Sequence, residues 1–284
     1  MSRFPGRLRS LLVCGALLLT AGCGGASGAD EPDLLQALPA PAPPPTAVPT
    51  PPNRKFGASA DGVRVGGSSV DWVPVHRFDF DGSRLDTSVW NPYNSIGGFG
   101  NGYRRPSAIG LDDGKLQITA RRNVSGGMGH RYDQLYGRWE FRARTDPGRG
   151  YSSAILLWPK SENKDDGELD MMEVPREQRD AAHFVMHWSE ENHIDGTLVN
   201  GDFTQWHTFA MDWLPDRITW YVDGVKQYET RDRTRIPTKP MHLTIQLDQG
   251  PLKDWLPPID ETTPPEVQLE VDWVRIYKMP KGYR

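Results

Sequence analysis

Ile218-Thr219-Trp220-Tyr221-Val222-Asp223-Gly224-Val225-Lys226-Gln227-Tyr228 decides the fold class of this 284-residue chain. Two runs rich in β-branched and aromatic residues flank Asp-Gly, the pair that accepts the positive φ angles of a two-residue hairpin turn. The same grammar recurs on both sides. Lys115 to Ala120 alternates after a turn at Gly114, and Tyr136 to Arg144 alternates over nine residues. Thr208 to Trp213 alternates before Leu214-Pro215-Asp216 turns the chain, and Met241 to Leu247 and Val267 to Tyr277 complete the set. No clear 3.6-residue apolar period holds over ten residues, and no fixed-period repeat occurs. The pattern predicts an all-β sandwich of two antiparallel sheets, not an α/β fold. Trp139, Trp213, Trp220 and Trp273 stand inside alternating strands and are expected in its core.

At 37% hydrophobic and 10% aromatic, the chain supports one sizeable core. A formal charge of −4 and the lack of a long basic run give no reason to expect nucleic acid as a partner. The N-terminus reads as targeting. Arg3, Arg7 and Arg9 precede an apolar run, Leu11 to Leu19, that is too short to span a bilayer. Leu19-Thr20-Ala21-Gly22-Cys23-Gly24 resembles a bacterial lipoprotein signal, cut before a cysteine that is then lipidated. Thr20 departs from the usual aliphatic residue, which leaves an ordinary secretory signal open. Residues 1–22 are expected to be removed and Cys23 to anchor the chain to the outer face of the cell membrane. Cys14 leaves with the signal, so the remaining cysteine has no internal partner. Residues 23–68, with Pro39-Ala40-Pro41-Ala42-Pro43-Pro44-Pro45, are expected to form a disordered Pro-rich tether. A monomeric domain is expected over 69–284.

Glu168-Leu169-Asp170-Met171-Met172-Glu173 carries the chemistry. In a strand, Glu168 and Asp170 share one face and Leu169 and Met171 the other. Strict alternation would turn Glu173 away from the two acids. One extra residue at Met171-Met172, a β-bulge, restores it to their face. Apolar neighbours, Ala154 to Trp158 upstream and Phe184 to Met186 downstream, argue against a merely solvated acidic face, and like charges this close on a strand repel. Two carboxylates facing one cleft are the minimal equipment for glycoside hydrolysis, and the sequence spacing alone leaves retention and inversion both open. Asp170, between them, can hydrogen-bond one glutamate and raise the pKa of the acid.

Sugar sites also need flat aromatic surfaces. Trp158, Trp188, Trp206 and Trp255 lie near turns or strand ends and are the candidates. The seven histidines show neither HExxH spacing nor a Cys/His cluster. Asp165-Asp166-Gly167 lacks the rest of an EF-hand loop. Gly97 to Gly102 reads as a flexible cleft-edge loop, since no strand-to-helix context supports phosphate binding. No serine stands in a nucleophile-elbow pattern.

The acidic hexapeptide resembles the E-(I/L)-D-x-x-E signature of glycoside hydrolase family 16 in its bulged, laminarinase-like form, and the resemblance extends from about Phe78 to Tyr277. Phe80-Asp81-Gly82 with Leu85, Asp86 and Trp90 resembles the family's opening strand. Gly114-Lys115-Leu116, Tyr136 to Glu140, Trp206 to Phe209, Ile218 to Gly224 and Val271 to Tyr277 also fit. The resemblance implies a concanavalin A-like β-jelly roll with a sugar groove across one sheet. It implies retaining double displacement, with Glu168 as nucleophile, Glu173 as general acid/base and Asp170 assisting. It further implies sugar contacts from Trp158 and from Asn101 in the early groove loop, a catalytic-centre role for His187, and a structural calcium held partly by Asp272. No other cofactor is implied. The expected substrate is a β-linked polysaccharide, a β-1,3-glucan or related glucan or galactan, cut internally. Transglycosylation at the same site and non-catalytic glycan binding at the cell surface are the competing expectations. The chain departs from the family at Gly100-Asn101-Gly102-Tyr103-Arg104-Arg105-Pro106, which lacks the Glu and Gln of Gly-Asn-x-Glu-x-Gln-Tyr. Arg104 and Arg105 are expected to face solvent, with an acidic or sulfated sugar as the alternative. Val174-Pro175-Arg176-Glu177 lacks the usual Gly-rich continuation.

Overall fold

The structure, a computed structural model, describes residues 63–283. The expected signal, Cys23 and the Pro-rich run lie outside the described residues. Two nine-stranded sheets face each other. The first, called the motif sheet, runs His193–Asn200, Ala181–Trp188, Glu168–Val174, Tyr151–Pro159, Met241–Gln249, Val124–His130, Tyr103–Arg104 and Ser95–Ile96, with Trp90–Pro92 also on Val124–His130. The opposite sheet runs Val63–Arg64, Asp71–Phe78, Val267–Lys278, Gly137–Thr145, His207–Leu214, Arg217–Val222 and Val225–Thr230. Lys115–Ala120 pairs with Val267–Lys278 there, and Ile109–Asp112 pairs with Lys115–Ala120. Among the described residues, only Tyr103–Arg104 against Val124–His130 is a parallel pair. The helical elements among the described residues are two 3-10 turns, Pro106–Ala108 and Lys164–Asp166. This is the expected all-β jelly-roll sandwich.

The Asp223-Gly224 hairpin forms as Arg217–Val222 and Val225–Thr230. Asp223 and Gly224 take φ values of 50° and 75°, the left-handed pair that such a turn requires. One face of each strand fills the space between the sheets. Ile155 and Leu157 of Tyr151–Pro159 join Leu169, Met171, Met172, Phe184, Trp139, Trp213 and Trp220 in one buried cluster. Ala154, Leu156 and Trp158, at the alternate positions, form a separate cluster on the sheet's outer face.

Three expectations are corrected. The fold begins before residue 69: Val63–Arg64 pairs with Asp71 and Trp72. Ser68 is buried and donates to Asp212 Oδ2 at 2.6 Å. Phe80-Asp81-Gly82, expected in the opening strand, is not strand: Asp71–Phe78 ends before it. Trp273 is half-buried with Arg275 over its ring, because the register of Val267–Lys278 shifts between Val271 and Trp273 and turns the indole out of the core.

Candidate active site

The acidic strand pairs with Tyr151–Pro159 as Ala154 to Glu173, Ile155 to Met172 and Leu156 to Asp170. Met171 is the extra residue. Both methionines are fully buried. Glu168, Asp170 and Glu173 therefore share the outer face with Ala154, Leu156 and Trp158. The bulge satisfies the apolar and acidic sides together, since two core-facing residues occupy the place of one. Across the core, Trp220 Nε1 donates to the Asp170 carbonyl at 3.0 Å.

Asp170 is buried while Glu168 and Glu173 keep part of their surface open. Burial, followed by the Asp170 charge, pushes Glu168 up to about 8. Burial also raises Asp170. Glu173 is raised well above the ordinary glutamate value by burial and then by Asp170. Neither Asp170 oxygen receives a hydrogen bond from an ordinary protein donor. A proton on Glu168 directed at Asp170 supplies one, which raises Glu168 and lowers Asp170. Three adjacent carboxyls in one partly desolvated patch cannot all ionise near neutral pH, so the cluster retains a proton for donation.

His187, cross-strand from Glu168, places Nε2 3.4 Å from Asp170 Oδ2 and Nδ1 3.1 Å from Asn192 Oδ1. His183, cross-strand from Glu173, is buried, and burial pushes its imidazole down to about 4. The Trp255 ring lies 6.3 Å from the His183 ring and 5.9 Å from Phe99. Asn101 donates to Phe99 O at 3.0 Å and Pro251 O at 2.8 Å, which ties the two loops together.

The Gly97–Gly102 loop is thus fastened, contrary to the flexible reading, and Gly98 N also donates to Asp248 Oδ1 at 3.1 Å. Arg104 is fully buried, contrary to expectation. It bonds Asp248 through Nε at 2.8 Å and through Nη2, and Gln246 Oε1 at 3.0 Å. Its strand directs it under the loop beside the acid that fixes that loop. Arg105 is half-buried, 4.7 Å over the Tyr103 ring.

Other predicted residues separate. Trp158 lies on the carboxylates' face but is only 3% exposed, with Nε1 donating to Glu162 Oε2 at 3.1 Å. Trp188 packs against the core, because alternation from His187 points it inward. Trp206 lies immediately before His207–Leu214 of the opposite sheet, with Arg142 and Arg144 each about 5 Å from its ring. Asp272 sits 2.6 Å from Arg142 Nη1, and no group of three or more His, Cys, Asp or Glu among the described residues is arranged to hold a metal ion. The side chains there suit an ion pair and do not fit a calcium site.

Sequence reasoning missed His183, although its four-residue offset from His187 puts both on one face. It also missed Tyr93, whose ring covers Gly127 and Gly129. A Cβ there would meet Tyr93 atoms at 2.9 and 2.8 Å. Tyr93 lies in a loop and gave no periodic signal.

An acid-bearing bulge on one sheet of a jelly roll is the arrangement of a glycosidase. The profile described as "Glycosyl hydrolases family 16" matches residues 102–275, more than half of the chain, and the chain belongs to that family. It is 29% identical to a beta-glucanase of Rhodothermus marinus, over 78% of this chain and 91% of that one. The solved laminarinase of Rhodothermus marinus superposes with a TM-score of 0.67 at 27% identity, covering 74% of this chain and 98% of that one. The catalytic domain of an endo-1,3-beta-glucanase (laminarinase) from Thermotoga petrophila reaches a TM-score of 0.69 at 22% identity, covering 75% and 100%.

Proposed function

We propose that this protein hydrolyses internal linkages of a β-1,3-linked glucan with retention of configuration. The observation that carries the reading is the bulged strand, which sets Glu168, Asp170 and Glu173 on one outward face above a doubly methionine-filled core. Likeness to proteins named beta-glucanase and laminarinase supports the substrate class. Glu168 attacks the anomeric carbon while Glu173 protonates the departing oxygen. Glu173 then takes a proton from the water that releases the glycosyl-enzyme. The proton held between Glu168 and Asp170 must reside on Asp170 when Glu168 attacks. Burial makes this transfer accessible by raising Asp170.

Reducing-end release from β-1,3-glucan, mixed-linkage glucan and galactan tests the reading, with Glu168→Gln as control. Cleavage of β-1,3-glucan by the native protein only is expected. Cleavage confined to galactan would overturn the substrate, and equal activity in Glu168→Gln would overturn the mechanism. The N-terminal sequence supports export and lipid anchoring through Cys23, with a monomeric domain held outside the membrane. Loss of membrane association in Cys23→Ser is the corresponding expectation.

A further inference from the structure

We infer that Trp220 is a positioning residue for this reaction, and that its indole N–H holds the bulge on which the outward face of Glu173 depends. The inference rests on the glycosidase reading above. Trp220 belongs to the opposite sheet, is fully buried, and shares no strand pairing with the acidic strand. Its Nε1 crosses the core to the Asp170 carbonyl at 3.0 Å. That carbonyl stands at the register shift, which runs from Asp170 to Glu173 against Ala181–Trp188. A bulge interrupts the ladder there, and a buried carbonyl without a donor is costly. The donor is itself fixed. Trp220 pairs with Met211 on one side and Tyr228 on the other, at a register shift between Trp220 and Tyr221. Tyr228 in turn donates to Asp195 Oδ1 at 2.7 Å, reaching the edge strand of the motif sheet. Two irregular strand segments, one in each sheet, are thus locked face to face by one hydrogen bond. Without it the Asp170 carbonyl loses its tie to the opposite sheet, and the carboxylates on either side of the bulge lose that constraint on their mutual orientation.

The test replaces Trp220 in the full chain with β-(3-benzothienyl)alanine, which keeps the bicyclic ring and substitutes sulfur for N–H. The same replacement at Trp213 is the control: that indole is equally buried and donates to Pro237 O at 3.2 Å, a carbonyl outside the acidic strand. On β-1,3-glucan, the Trp220 replacement is expected to lower kcat tenfold or more with KM within twofold. The Trp213 replacement should leave kcat within twofold at a comparable loss of Tm. Carboxyl 13C titration of both proteins supplies a readout that needs no substrate, and the Asp170 or Glu173 midpoint should move by half a pH unit or more for Trp220 alone. Unchanged kcat and unchanged midpoints in the Trp220 replacement would overturn the inference. Should the native protein cleave no β-glucan, the proposed function fails and the titration alone decides. If the Trp220 replacement does not fold, Trp220→Phe is measured by the same two readouts.

Discussion

Replacing Glu168 by Gln should stabilise the protein at neutral pH while abolishing its activity. The folded protein holds Glu168 up to about 8 against an ordinary 4.5. Between these values the unfolded chain releases a proton that the folded one keeps, so Glu168 makes stability fall as pH rises from 4.5 to 8. At pH 7 the gap is about 2.5 pH units, or roughly 3 kcal/mol at 1.36 kcal/mol per unit. Glu168 keeps part of its surface open, so solvent screening makes this a ceiling. Glutamine cannot ionise and retains a donor toward Asp170, so the variant avoids the loss. Urea unfolding of both proteins at pH 4.5 and pH 7.5, followed by tryptophan fluorescence, measures the difference. Near-equal stabilities are expected at the lower pH and a more stable variant at the higher. The histidines held neutral by burial act in both proteins and cancel in the difference. Parallel pH dependences, or a variant less stable at pH 7.5, would refute the claim that Glu168 is forced to hold its proton.

Arg104→Met leaves the buried Asp248 carboxyl without its guanidinium partner, since the pair is 0% and 1% exposed. A loss of about 3–5 kcal/mol is expected by denaturation, and the double change Arg104→Met with Asp248→Leu should recover much of it. His130 is held neutral down to about 4 by burial, then by His76 and His242. It therefore contributes stability that is present above pH 6.5 and lost as pH falls toward 4. His130→Phe should flatten this acid loss relative to the native protein, and an unchanged acid slope argues against it. Chelation with EDTA should leave Tm unchanged because Arg142 occupies the Asp272 carboxylate. A Tm that rises on adding calcium to native protein would contradict this.

Periodicity made the sheets readable because each strand has one face in a single core and the other outside it. It also made the bulge readable: three acids and two methionines fit one strand only if a residue is added. Where several neighbours compete for one side chain, the sequence was mute. Trp206 and Trp255 both lie near turns, yet one faces the guanidinium groups of Arg142 and Arg144 and the other lies beside His183. Only the pairing of strands far apart in sequence separates them. Arg104 looked like a surface cation for the same reason, since Asp248 lies 144 residues away. Strand alternation does predict Trp188 correctly, as facing away from His187, but proximity to a turn outweighed it in the sequence reading.

Both ends of the described fold belong to the sheet opposite the acidic strand. Val63–Arg64 is its edge strand, and Tyr283 reaches back to Asp216 Oδ1 at 3.3 Å beside the turn into Arg217–Val222. Anything joined at either end, whether a fluorophore, a bead or another folded unit, starts from the side away from the acids. A unit joined at the two ends of the described fold therefore leaves the acidic strand's outer face turned toward a polysaccharide.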